Sequence, residues 1–123
     1  MKEIEIYRVV TQSNRQLVSA TANSCRTRYR VNKWTKPRQG NGPLTAFRSL
    51  ADALEFRAII RGDTEIWGGV PDNEQLPHVI YRAIAIRSRK RCVWTGTSKK
   101  DPVHERFPGT VYCDKIKLLG RVV

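Results

Sequence analysis

The first stretch of the chain, Ile4 to Thr11, is rich in Ile, Val and Tyr, a composition that predicts a β-strand. Asn14 and Arg15 are turn formers, and Leu17 to Thr21 predicts a second strand, so the chain opens as a hairpin. From Arg26 to Trp34 the pattern suits a strand whose successive side chains point to opposite faces. Arg26, Arg28, Arg30, Asn32 and Trp34 would share one face, and Thr27, Tyr29 and Val31 the other. Pro37 to Pro43 is packed with turn formers and predicts a loop, and Leu44 to Phe47 a short strand.

A helix is expected over about residues 49–61. Ser49 and Asp52 fit a capping box, with Asp in the place usually taken by Glu. Leu50, Ala53, Leu54, Ala58 and Ile59 form an apolar stripe at helical spacing, which Phe56 and Ile60 widen. Arg57 and Arg61 sit where the macrodipole favours cations, and Gly62 suits the stop. Thr64 to Trp67 then predicts a strand closed by Gly68 and Gly69, and Val79 to Ile86 another. In the last segment, Thr110 to Leu119, the apolar positions slip from Val111 and Cys113 to Ile116 and Leu118, which predicts a β-bulge near Asp114. There is no internal repeat or linker. The expectation is one basic α+β domain over residues 1–123, an antiparallel sheet packed by one main helix.

Charge changes the picture. Lys and Arg number 23 against 11 Asp and Glu, a formal net charge of +12 that attracts phosphates without specifying a fold. Nucleic acid, free nucleotides and acidic protein surfaces are all compatible with it. Cys25, Cys92 and Cys113 form no CxxC pair and have no metal-ligand spacing to His78 or His104, so reduced, packed thiols are expected and no metal or cofactor. No apolar run is long enough for a membrane span and the N-terminus lacks a signal segment, which predicts a soluble intracellular protein.

Catalytic patterns are thin. There is no P-loop, no GxGxxG before a helix and no HExxH, and Gly40-Asn-Gly42-Pro43 suits a plain turn better than a phosphate loop. An ADP-ribosyltransferase would need at least an early-strand arginine (Arg8) and a late carboxylate (Glu105 or Asp114), residues too common to specify it. Binding is better supported. On the Arg26–Trp34 face, guanidinium forks match phosphate oxygens and an indole offers a platform for a base. A second candidate site is the turn at Arg106, where Gly109 would let backbone approach a ligand and Thr110 would hydrogen-bond it. Trp94, Tyr112 and Phe107 could add stacking surface, with core packing the alternative for each and the favoured fate of Trp67. The run Arg87, Arg89, Lys90, Arg91 has the character of a solvated surface or an oligomer contact.

The layout Tyr29-Arg-Val-Asn-Lys-Trp34, Gly42-Pro-Leu-Thr-Ala-Phe47, Ser49-Leu-x-Asp52-Ala-x-x-Phe56 and Pro108-Gly-Thr110-Val-x-Cys-Asp-x-Ile116-Lys-Leu-Leu119 resembles small phage-encoded proteins, above all the first family of Thoeris anti-defence proteins. The resemblance covers roughly residues 28–119. It implies a non-catalytic sponge, a homo-oligomer in the cytoplasm of an infected bacterial cell, which sequesters a cyclic ADP-ribose signal or a cyclic oligonucleotide without cleaving it. It implies ligand binding by Arg26, Arg28 and Arg106 as anion holders, Trp34 as stacker and Thr110 as hydrogen-bonder. A sequence-tolerant nucleic-acid-binding module would use the same basic face, with the Arg87–Arg91 run as a backbone track.

Overall fold

A sheet that returns on itself organises the chain. The computed structural model describes residues 2–13, 16–19, 27–66, 78–94, 96–97 and 99–123. Its strands are β1 (Glu3–Ser13), β2 (Gln16–Ser19), β3 (Arg28–Tyr29), β4 (Trp34–Thr35), β5 (Leu44–Phe47), β6 (His78–Arg87) and β7 (Thr110–Arg121), with α1 (Leu50–Ile66) between β5 and β6. All pairings are antiparallel. β1 pairs with β6 from Glu3 to Thr11, β6 with β7, and β7 with β5; β5 returns to β1 where Tyr7 faces Phe47. Four strands thus close a small ring. β2 and β3 extend it from the far end of β1, and β4 lies on the edge of β7. The result is an α+β fold, one seven-stranded antiparallel sheet packed by a single main helix.

Alternation along the strands assigns two cores. Ile6 and Val10 of β1 join Leu44, Val79, Ala83, Val111, Ile116 and Leu118 in a cluster inside the ring. Val9 faces the other way and meets Phe47, Ile80, Ala53 and Phe56 beneath α1. Phe56 is the hinge of this second core, with ring centroids 4.9 Å from both Phe47 and Phe107. Truncating a buried phenylalanine of this kind typically costs about 3–5 kcal/mol.

The expected bulge is present. Ile86 pairs with Lys115 and Arg87 with Cys113, so Asp114 is left over between them. The extra residue swaps the faces of β7, which is why Val111 and Cys113 point inward before it and Ile116 and Leu118 after it. Cys113 is buried, and burial pushes its thiol up to about 12, an unreactive packed sulfur. Cys92 is likewise free, and Cys25 lies outside the described residues.

α1 begins as its sequence requires. The Ser49 hydroxyl accepts the Asp52 N–H at 3.1 Å and donates to the Asp52 carboxylate at 2.9 Å. Its remainder corrects four expectations. The helix does not stop at Gly62 but continues through Ile66, so Thr64 to Ile66 are helical instead of extended, and the last turn holds no basic residue. Arg57 instead donates from its guanidinium to the Val123 carbonyl. The buried line is Leu50, Ala53, Phe56 and Ile60, while Leu54, Ala58 and Ile59 are exposed. At 3.6 residues per turn Leu54 and Ile59 fall about 100° to either side of that line, beyond the width of the sheet surface the helix covers.

The Arg26–Trp34 strand is also corrected. Val31 to Lys33 form a turn, with Asn32 at φ +63°, and the Lys33 N–H is bonded to the Arg30 carbonyl at 3.2 Å. The turn separates β3, which pairs with β2, from β4, which pairs with β7. Arg28 and Trp34 therefore belong to different strand pairs, and no single face carries the predicted ladder. Arg26, the Asn14–Arg15 turn, Thr21, Trp67 and the segment from Gly68 to Pro77 lie outside the described residues.

Candidate anion-binding cleft

The ends of three strands meet at the start of β7. Phe47 pairs with Thr110, so Arg48 emerges beside the Phe107–Thr110 turn, and its N–H is bonded to the Gly109 carbonyl at 3.0 Å. Arg87, the last residue of β6, pairs with Cys113. The next residue extends the ladder by one bond, Ser88 N–H to the Tyr112 carbonyl at 2.8 Å. The Ser88 hydroxyl then accepts the Lys90 N–H at 3.1 Å and bends the basic run around the end of β7.

These elements enclose a cavity of about 150 Å³ lined by Arg48, Arg87, Ser88, Arg89, Lys90, Arg91, Thr110, Val111 and Tyr112. Its buried side is Ser88, Val111 and Tyr112; its five cations are exposed. No acidic residue lines it, and among the described residues no ion pair engages any of the five. Unpaired guanidinium forks around a concavity suit phosphate oxygens, which they can hold by charge-assisted, bidentate hydrogen bonds.

The predicted site residues are scattered around this cleft. Only Thr110 lines it, and its hydroxyl also donates to the Phe107 carbonyl. Arg106 grips the Asp101 carboxylate through two contacts of 2.7 Å. That hydrogen bonding holds the Asp101 carboxyl below its usual range and raises Arg106, so this guanidinium is occupied by a protein carboxylate. Gly109 has φ +85°, and a Cβ there would stand 2.1 Å from an Asp52 carboxylate oxygen; its close approach is to the capped start of α1. Arg28 is exposed on the short β3. Trp34 is half-buried on β4, with the Lys115 and Lys117 ammonium groups 4.6 and 5.5 Å from its ring centroid.

The other aromatic candidates divide. Phe107 packs edge-on against Phe56 and belongs to the core under α1. Tyr112 is buried, and its hydroxyl accepts the His104 N–H at 3.1 Å and lies 2.8 Å from His104 Nδ1. Trp94 is partly buried and belongs to neither core cluster. The Gly42 N–H is bonded to the Trp94 carbonyl at 2.9 Å, so it is not free to cradle a phosphate.

Arg8 is buried inside the ring. It donates to the Thr45 carbonyl at 2.7 Å and to its hydroxyl at 3.2 Å, and its guanidinium carbon lies 5.4 Å from the Tyr29 ring centroid. Glu105 and Asp114, by contrast, are both exposed. Among the described residues there is no cluster of three or more His, Cys, Asp or Glu able to hold a metal ion, and no helix long and apolar enough to cross a membrane.

The sequence pattern assigns the Arg87–Arg91 run to a solvated surface, an oligomer contact or a nucleic-acid backbone track, and does not join it to Arg48 in one cleft. Its signal was four cations in five residues directly after a strand, with Arg48 directly after another. Only the register of β5 and β6 on β7 makes those strand ends neighbours. Comparison with protein-family models, curated proteins and solved structures gives no match.

Proposed function

We propose that this protein binds and sequesters a phosphorylated nucleotide signal, of the cyclic ADP-ribose or cyclic oligonucleotide type, without transforming it. The observation that supports this reading is the cleft of five cations that, among the described residues, no ion pair engages and no carboxylate lines. A sponge needs tight phosphate binding and no general acid or base, which is the chemistry the cleft offers. Arg48, Arg87, Arg89 and Arg91 would hold phosphate oxygens, Lys90 would act as a point charge, and Thr110, whose proton goes to the Phe107 carbonyl, would accept a hydrogen bond from a ligand hydroxyl or N–H. The role in phage immune evasion, and assembly as an oligomer, rest on the resemblance of residues 28–119.

The test is calorimetry and thermal shift with cyclic ADP-ribose, cyclic oligonucleotides, NAD, inorganic pyrophosphate and single-stranded DNA at two salt concentrations. Ligand at a hundred times its Kd adds roughly 2.7 kcal/mol to folding stability. A salt-resistant shift with one cyclic nucleotide, recovered intact, supports the sponge. A shift with DNA alone that vanishes at higher salt overturns it.

That second reading, a single-strand-binding module, has its own support. Trp34 and its two lysines lie outside the cleft lining, as a stacking surface for a longer polyanion would require.

A further inference from the structure

The cleft has a neighbour that its lining does not include. Lys90 belongs to the lining, and its ammonium stands 5.0 Å from the centroid of the Trp94 ring; Lys100 approaches the same ring at 5.3 Å. One lysine side chain therefore connects the phosphate-binding concavity to a partly buried indole.

That indole is held in place from several sides. Gly42 lies flush against it: a Cβ on Gly42 would come within 2.5–2.7 Å of three ring carbons, closer than real contacts allow. The Gly42 N–H is bonded to the Trp94 carbonyl, and the adjacent Val93 exchanges both backbone hydrogen bonds with Asp101, at 2.9 and 2.8 Å. The Gly96 N–H donates to the Asn41 side-chain oxygen at 3.1 Å, a second tie between the Asn41–Gly42 loop and the chain beyond Trp94. A tryptophan that joins no core cluster, yet is fixed by two loops and flanked by two cations, is preorganised for an aromatic partner, because its rotamer entropy is already spent in the free protein.

We infer that Trp94 is the stacking platform for the base of the ligand whose phosphate occupies the cleft, with Lys90 shared between the two and Lys100 on the base side. This rests on the proposed phosphate role of the cleft and adds the requirement that the ligand carry a flat aromatic group next to its phosphate. Gly42 is the positioning residue, since only a residue without a Cβ lets the ring lie where it does.

Cyclic ADP-ribose and inorganic pyrophosphate serve as the probe pair, by calorimetry on the full chain. Trp94→Ala should weaken cyclic ADP-ribose about tenfold or more and leave pyrophosphate within about twofold, because base stacking on an aromatic ring is lost and phosphate contacts are not. Trp94→Phe should recover part of the loss. Gly42→Ala, which displaces the ring without removing it, should follow Trp94→Ala. Tryptophan emission should be quenched by cyclic ADP-ribose, unchanged by pyrophosphate, and lose the quench in Trp94→Phe. Equal weakening of both probes by Trp94→Ala, or unchanged emission on nucleotide binding, overturns the platform while leaving the cleft. Failure of the wild-type protein to bind either probe overturns the phosphate role itself and the platform with it.

Discussion

Two basic regions of this molecule have comparable composition and opposite fates. Arg26 to Trp34 alternates cations with apolar residues, yet the turn at Val31–Lys33 splits it between two strand pairs. Arg87 to Arg91 has no alternation at all, yet it wraps the start of β7 and shares a cavity with Arg48 and Thr110. Alternation aims side chains only while one strand persists. Convergence of strand ends aims them whatever their spacing, since each chain end arrives at a place set by register. Arg106 sharpens the contrast: it stands a few residues from the cleft but is bound to Asp101. Position near a site is not the same as an unpaired charge.

The comparison breaks most decisively by deleting cations from one region at a time. Arg89→Ala with Arg91→Ala should reduce nucleotide affinity by a hundredfold or more, since each charge-assisted hydrogen bond is worth about 1.5–3 kcal/mol. Arg28→Ala with Arg30→Ala should change it by less than about threefold. Calorimetry on the two double variants decides, and the reverse order would return the site to the Arg28–Trp34 region.

A smaller effect is expected from the turn that seats Thr110. Gly109→Ala places a Cβ against Asp52 in a left-handed conformation, and should cost about 2 kcal/mol of folding stability. For a domain of this size that is roughly 8 °C in Tm, read by denaturant and thermal melts. Loss of this size with the Ser49 cap intact would place the strain in the turn; an unchanged Tm would mean that the turn and α1 are not packed as described.

The smallest effect belongs to Arg106. Arg106→Ala removes an exposed ion pair, so stability at neutral pH should fall by less than about 1 kcal/mol and nucleotide affinity should stay within about twofold. Its pH dependence has a definite sign. A carboxyl depressed on folding stabilises the native state above its unfolded value and loses that contribution as pH falls through the folded one. The gap between wild type and Arg106→Ala should therefore close as pH drops below about 4. A large loss of nucleotide binding in this variant would restore Arg106 as a ligand contact.

Much of the architecture was legible from residue pattern, because its signals are local. The Ile- and Val-rich strands, the Ser49–Asp52 cap and the slip across Asp114 each depend on neighbours a few residues apart, and each is present. The far end of α1 was not legible: Gly62 and the β-branched Thr64 and Ile66 argue locally for a stop and a strand, and the helix runs through them. The exposed Leu54 and Ile59 were not legible either, since helical spacing predicts a stripe but not how wide a surface will cover it.

The candidate site divides along the same line. Residue types alone made an anionic partner the expectation, with the cations and tryptophans as its candidate contacts. Which cations converge was decided only by tertiary structure. Phe47 opposite Thr110 joins residues 63 positions apart, and Arg87 opposite Cys113 joins residues 26 apart, at one end of β7. Asp101 neutralises Arg106, and Gly42 fixes Trp94, through contacts between side chains and loops that no spacing rule encodes. Local pattern sets strands, caps and bulges because their energies are short-range. Charge pairing and the shape of a cleft depend on which strand ends become neighbours, and that is settled only when the ring closes.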